Sequence, residues 1–183
     1  MIRIAISLFS MMLLAGCMTV TGAPREENVV YNETSTEQAG SALSDSVSLG
    51  EVSEFPGMSV ITLSFKTNPN LDDDEFKEFL RQSLDNAGLL GEGYVLDAKL
   101  VDSDNWGLGL DLGLGELTRN LAVEYTLKNP DNEVVYSEVI VGDGEITNYN
   151  FFWPYHLIER EAAEKGYKDN IRQLIEELKS YET

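Results

Sequence analysis

The chain has 183 residues, 43% of them hydrophobic and 25% charged, and 32 acidic against 13 basic residues give a formal net charge of −19. That length supports one compact domain, and the composition is globular, neither disordered nor collagen-like. One cysteine excludes an internal disulfide framework and a cysteine-rich zinc site, and the shortage of Lys and Arg excludes a nucleic-acid backbone as partner.

Met1-Ile2-Arg3 is a short basic start, and Ile4 to Leu14 is uncharged and apolar apart from Ser7 and Ser10. A helix needs about 20 residues to span a bilayer, so this run has instead the length of a signal-peptide h-region. It closes on Leu14-Ala15-Gly16-Cys17, which resembles the lipobox of bacterial lipoproteins. The resemblance implies a diacylglycerol on the Cys17 sulfur, cleavage between Gly16 and Cys17, and acylation of the new amino group. Several acyl chains, each gaining ~0.8 kcal/mol per buried methylene, make a stable anchor. Met18 stands where an Asp favours retention in the inner membrane, so the resemblance implies an outer-membrane protein facing the periplasm.

Residues 1–16 are therefore expected as signal peptide, 17–46 as acylated cysteine and polar tether, and 47–183 as a single α+β domain. The stretch up to Ser46 is rich in Thr, Ser, Glu, Asn, Gln and Gly with little hydrophobic periodicity, which predicts a flexible coil about 30 Å across. Asn32-Glu33-Thr34 matches a glycosylation sequon, a chance match in a bacterial lipoprotein. Val47 to Phe55 reads either as a short edge strand or as the end of the tether.

From Gly57 the pattern is firmer. Ile61, Leu63 and Phe65 alternate with Thr62, Ser64 and Lys66 as in a half-buried strand, closed by Thr67-Asn68-Pro69-Asn70. Asp72 with Glu75 forms a capping-box pattern, and Phe76, Phe79, Leu80, Leu84 and Ala87 share a helical face that ends at Gly88. Strands follow at Tyr94–Val101, Leu121–Leu127 and Val134–Val141, the last two joined across Asn129-Pro130-Asp131-Asn132. Between Gly107 and Gly115 leucines occupy every second position. The apolar phase then shifts from even to odd numbers, which requires a turn, bulge or loop near residues 115–120. Pro154 suits a first helical turn, and Leu157, Ala163, Tyr167, Ile171, Leu174, Ile175 and Leu178 make a stripe reaching Tyr181. Glu161 with Lys165 and Glu164 with Lys168 are i,i+4 pairs expected on its wet side. The order strand, helix, strands, helix predicts a mostly antiparallel sheet of four to five strands with two helices on one face.

Phe79-Leu80-Arg81-Gln82-Ser83-Leu84-Asp85-Asn86-Ala87-Gly88-Leu89-Leu90 resembles a segment of a group of bacterial lipoproteins. So do Tyr94-Val95-Leu96-Asp97-Ala98 and Arg160-Glu161-Ala162-Ala163-Glu164 with Asn170-Ile171, and the likeness runs over roughly residues 58–180. The order of elements behind a lipobox also resembles that of the lipopolysaccharide-assembly lipoprotein of the outer-membrane translocon. Some members of the group carry a UDP-N-acetylglucosamine acyltransferase label. Such enzymes are left-handed β-helices of hexapeptide repeats with a catalytic His, and no such repeat occurs here.

Other chemistry finds little support. His156 is the only histidine, and no Gly-x-Ser-x-Gly elbow accompanies it, so a solvent-facing or capping role is expected. Asp102 and Asp104 open like a calcium loop, but Trp106 takes the fifth ligand position and Gly113 replaces the bidentate Glu. The glycines from Gly107 to Gly115 lack dinucleotide-fingerprint spacing. Asp72-Asp73-Asp74-Glu75 is explained by helix capping. No cofactor or metal is therefore expected. The five bases Arg160, Lys165, Lys168, Arg172 and Lys179 read as solvated partners of nearby Glu, or else as a stripe for anionic lipid or glycan.

Trp106, Tyr149, Phe151, Phe152, Trp153 and Tyr155 form the remaining cluster. These rings either fill the seam between helix and sheet or line a groove for a lipidic molecule or protein partner. The preferred expectation is a non-enzymatic lipoprotein, held to the membrane by acyl chains and binding an envelope protein or lipidic ligand in envelope assembly or transport. The alternative, a carboxylate-dependent enzyme of envelope glycans or lipids, predicts two or more buried acids facing a cleft.

Overall fold

A computed structural model describes residues 22–32, 41–61, 66–103, 116–147 and 155–181. Cys17 and the Gly-Leu tract lie outside them. The elements, in chain order, are α1 (Glu26–Val29), β1 (Val47–Ser53), β2 (Ser59–Ile61), β3 (Lys66–Asn68) and α2 (Asp73–Asn86), then β4 (Tyr94–Ser103), β5 (Glu116–Leu117), β6 (Asn120–Lys128), β7 (Val134–Asp143), β8 (Ile146–Thr147) and α3 (Tyr155–Lys179).

Four strands form the main sheet in the order β1-β4-β6-β7. Residues Val47–Ser53 are thus an edge strand, and they run parallel to β4. The sheet is mixed, where a mostly antiparallel one was expected. Parallel neighbours need a crossover between them, and α2 supplies it. The strand expected through Ile61 and Lys66 is also different: β2 and β3 fold back on each other, Ser59 opposite Asn68, and stay out of the main sheet. Within the stretch 115–120, where a turn, bulge or loop is expected, β5 pairs with β8 in a separate ladder.

Alternation sets the two faces of the sheet. Leu96, Ala98 and Leu100 of β4 and Leu121, Val123, Tyr125 and Leu127 of β6 are buried beneath the helices. Against them pack Phe76, Phe79, Leu80 and Leu84 of α2 and Ala163, Tyr167, Ile171, Leu174, Ile175 and Leu178 of α3. α2 begins as its sequence requires: the Glu75 amide donates to Asp72 Oδ1 at 2.8 Å and the Asp72 amide to Glu75 Oε2 at 3.1 Å. Gly88 follows with φ +70°, the left-handed stop that glycine takes without strain. A buried polar bridge ties three elements: Tyr125 donates to Asn170 Oδ1 at 2.6 Å, and Asn170 Nδ2 donates to the Ile140 carbonyl at 2.7 Å.

Composition assigns residues 22–46 to the tether, but 22–32 are packed down as a strap on the helices. Val29, Val30 and Tyr31 are core residues. The Tyr31 amide donates to Ser83 Oγ of α2, Asn86 Nδ2 donates to the Tyr31 carbonyl, and Lys179 of α3 lies 5.2 Å from the Tyr31 ring centroid. Arg25 and Asn28 meet Glu164 near the other end of α3. The strap therefore bridges α2 and α3. Leu43 is buried with it, so the chain is docked again before β1. Three successive apolar residues in a polar stretch suffice, because they join the core cluster that the two helices contribute to.

Candidate functional site

Of the aromatic residues singled out from sequence, Trp106, Tyr149, Phe151, Phe152 and Trp153 lie outside the described residues, while Tyr155 opens α3. His156 is half-buried in the same first turn. The described residues bring two other constellations together.

The first is at the pole where α1 meets the first half of α3. Glu164, expected on the wet side with Lys168, is 3% exposed. Its Oε1 accepts from the Arg25 amide at 3.0 Å and from Arg25 Nε at 3.1 Å, its Oε2 accepts from Asn28 Nδ2 at 2.5 Å, and Arg160 Nε stands 3.5 Å from Oε1. The strap displaces water from this carboxylate and supplies hydrogen-bond donors in its place. The Glu164 carboxylate in turn raises the Arg25 guanidinium above its ordinary range, chiefly through that hydrogen bond. Glu161 keeps its expected partner, Lys165, at 3.8 Å. Leu157, predicted for the core stripe, instead lines a depression of about 470 Å³ here with Arg25, Glu27, Arg160, Glu161, Glu164, Lys165 and Lys168. Ile158 and Ala162 are buried in its stead, against Leu117 and Ile146 of the small β5–β8 ladder.

Glu159 is the second buried acid of α3, paired with Arg119 at 3.4 Å. Two buried carboxylates are what a carboxylate enzyme would need. Five residues apart on one helix, however, they point about 140° away from each other, and each is held by arginine. They are structural anchors, not a facing acid–base pair.

The second constellation is the outer face of the sheet, which no described helix covers. Val95, Val101, Val139 and Val141 are 37–53% exposed along it. Beside them lies a polar depression of about 390 Å³ that includes Glu51, Glu54, Asp97, Lys99, Glu124 and Lys128. Asp97 organises this depression. Its Oδ1 accepts from the Glu51 amide at 2.7 Å and its Oδ2 from Lys128 Nζ at 2.6 Å, and the latter bond raises the lysine above its ordinary range. A Cβ on Gly50 would lie 2.1 Å from Asp97 Oδ1, so glycine is what lets the carboxylate approach β1. No group of three or more potential metal ligands occurs among the described residues. Nor is any described helix long and apolar enough to cross a membrane.

Neither constellation announces itself in the sequence. Arg25 and Glu164 are 139 positions apart, and nothing in a Glu-rich helix marks one carboxylate as buried. Exposed valines were the more readable signal. In β7, Val139 and Val141 fall on the face opposite Ile140, and that alternation was visible as strand pattern but not as an uncovered surface.

An open mixed sheet, two helices on one face and a strap across them define an α+β fold. No family model matches the chain, and no curated protein matches it in sequence. Among solved structures it is similar to a protein of Caulobacter crescentus described as a lipoprotein, with TM-score 0.51 and 14% identity over 76% of this chain and 92% of the other. Weaker likeness extends to a minor lipoprotein of Acinetobacter baumannii, with TM-score 0.46 and 11% identity over 75% and 94% of the two chains. It extends also to a DUF330 family protein of Xanthomonas campestris, with TM-score 0.44 and 12% identity over 70% and 77%. The fold is thus one that a protein described as a lipoprotein also adopts.

Proposed function

We propose that the chain is a non-enzymatic lipoprotein, anchored in the outer membrane through acyl chains on Cys17 and facing the periplasm, whose open sheet face binds a protein partner in envelope assembly or transport. The uncovered face of the sheet carries this reading. It presents exposed valines beside four carboxylates, Glu51, Glu54, Asp97 and Glu124, with only Lys99 and Lys128 among them. Several large apolar side chains held out of the core on one sheet face mark an interaction surface. Its acidic surround selects a partner with an apolar centre and a basic rim. The lipoprotein fold of the Caulobacter neighbour and the lipobox-like Cys17 support the anchoring half of the proposal.

The two halves are tested together in cells. Intact mass of the membrane-extracted protein gives a chain beginning at an acylated Cys17, and Cys17→Ser leaves it unprocessed and without acyl chains. A photo-crosslinking side chain at Val139 yields one discrete protein adduct, which Val141→Lys abolishes while the melting temperature stays put, because exposed substitutions cost within about 0.5 kcal/mol. A Val141→Lys variant that crosslinks as well as the parent defeats the binding face.

A further inference from the structure

The two edges of the main sheet are finished differently. β1 is bulged between Leu49 and Val52, and Lys77 Nζ donates to the Gly50 carbonyl at 2.7 Å. A bulge and a lysine are devices that spoil an edge for further pairing. β7, the other edge, has neither lysine nor proline, and the whole stretch from Asn129 to Glu159 lacks Lys and Arg.

Register decides which backbone groups of β7 look outward. The Tyr94 amide donates to the Ser46 carbonyl, on the β1 side. Backbone groups alternate along a strand, so Val95, Asp97 and Lys99 turn theirs toward β6. Carried through the pairs Asp97↔Thr126, Tyr125↔Glu138 and Val123↔Ile140, this alternation turns Glu138 and Ile140 toward β6 and Ser137, Val139 and Val141 away from it. α3 caps the far end of that edge: Gln173 Nε2 donates to the Val141 carbonyl at 2.9 Å, and the Asp143 amide donates to Asp169 Oδ2 at 3.1 Å. Among the described residues nothing caps the amides and carbonyls of Ser137 and Val139, and Ser137, Glu138 and Val139 are exposed in succession.

A strand laid along this edge would put every second side chain beside Val139 and Val141 on the outer face. The others would fall on the opposite face, beside Glu138 and beside Glu177 of α3, which accepts from the Tyr136 hydroxyl. One side asks for apolar groups and the other for cations. A second copy of the chain fits poorly, because β7 paired with its own image sets Glu138 against or beside Glu138, in a chain of net charge −19. Resting on the binding-face reading above, we infer that the partner presents an extended segment, alternating Lys or Arg with apolar residues, which adds to the free edge of β7 as a further strand of the main sheet.

The test uses the full membrane-extracted chain in detergent and a synthetic peptide of alternating lysine and valine. Binding is expected to slow hydrogen exchange several-fold at the Ser137 and Val139 amides. Ser137→Pro removes an outward amide and no bond to β6, so it is expected to weaken the peptide roughly tenfold, on the scale of one backbone hydrogen bond, while Ser137→Ala leaves binding unchanged. The exchange measurement needs no substitution and stands even if the proline variant misfolds. A peptide that binds without slowing those amides overturns strand addition and leaves the sheet face as a binding surface. Equal binding by a peptide with glutamate in place of lysine overturns the basic partner, as does protection of both amides that appears without peptide and fades on dilution. Absence of peptide binding overturns the inference alone where the Val139 adduct still forms in cells, and overturns both readings where it does not.

Discussion

Gly142, Gly144 and Gly166 decide how closely α3 approaches the sheet. A Cβ on Gly142 would lie 2.1 Å from the Gly166 carbonyl oxygen, and one on Gly144 would lie 2.1 Å from the Ala162 carbonyl oxygen. Backbone stands on both sides of these contacts, so no side-chain rotation relieves them. Gly144→Ala is therefore expected to cost about 1–3 kcal/mol, the range for overpacking a tight site, read as a lowered urea midpoint at unchanged slope. Gly166→Ala is the internal control. Its Cβ would lie 2.9 Å from the Arg119 oxygen, and the helix gains nearly 1 kcal/mol from replacing glycine, so its loss is smaller. Equal losses would mean that the contact at Gly144 does not set the closeness of approach. The same glycines bring Asn170 within reach of both Tyr125 and the Ile140 carbonyl. Burial of that tyrosine pushes its hydroxyl well above the ordinary range, so it stays protonated and serves as the donor.

At the scale of elements, the strap and α3 share one buried carboxylate, and the strap's attachment rests on it. Glu164→Gln keeps the shape but removes the charge that holds Arg25 and Arg160. One side of that pair, Arg25, is 49% exposed, so the loss falls below the several kcal/mol of breaking a fully buried ion pair, at about 2 kcal/mol. Hydrogen exchange should locate it: amides of Val30 and Tyr31 lose protection, while those of β6 change only in step with global stability. α2, α3 and the strands β4, β6 and β7 were legible beforehand because each carries its own period, 3.6 for Phe76 to Leu84 and 2 for Leu121 to Leu127. The strap was not, since Val29-Val30-Tyr31 has no period and owes its burial to a groove made by residues 50 to 150 positions away. For the same reason Glu164 reads locally as the partner of Lys168, and only the tertiary arrangement gives it Arg25. The edge strand β1 was ambiguous because its partner, β4, lies beyond a whole helix.

At the scale of the whole molecule, stability against pH sets two opposing effects against each other. A net charge of −19 destabilises the compact state by self-repulsion, and that penalty eases as carboxylates take up protons below neutrality. Against it stand carboxylates that folding holds ionised. Arg81 and Gln82 hydrogen bonds push the Glu78 carboxyl down to about 2. At Asp169 burial acts upward, but bonds from Arg172, the Asp143 amide and Gln173 outweigh it, and the net direction is down. For a carboxyl whose folded pKa is depressed, the stabilisation is complete above the unfolded value and is lost as pH falls through the folded one. The melting temperature should accordingly rise on moving from pH 7 to about 5, then fall steeply from about 4 toward 2. Added salt should raise it at pH 7 by screening the repulsion, with a smaller effect at pH 5. Asp169→Asn should flatten part of the acid-side fall, since Asp169 ties α3 to the end of β7 through the Asp143 amide. A melting temperature that declines steadily from pH 7 downward would show that the held carboxylates outweigh the repulsion throughout. The self-repulsion of the acidic surface would then be the weaker of the two effects at every pH in that range.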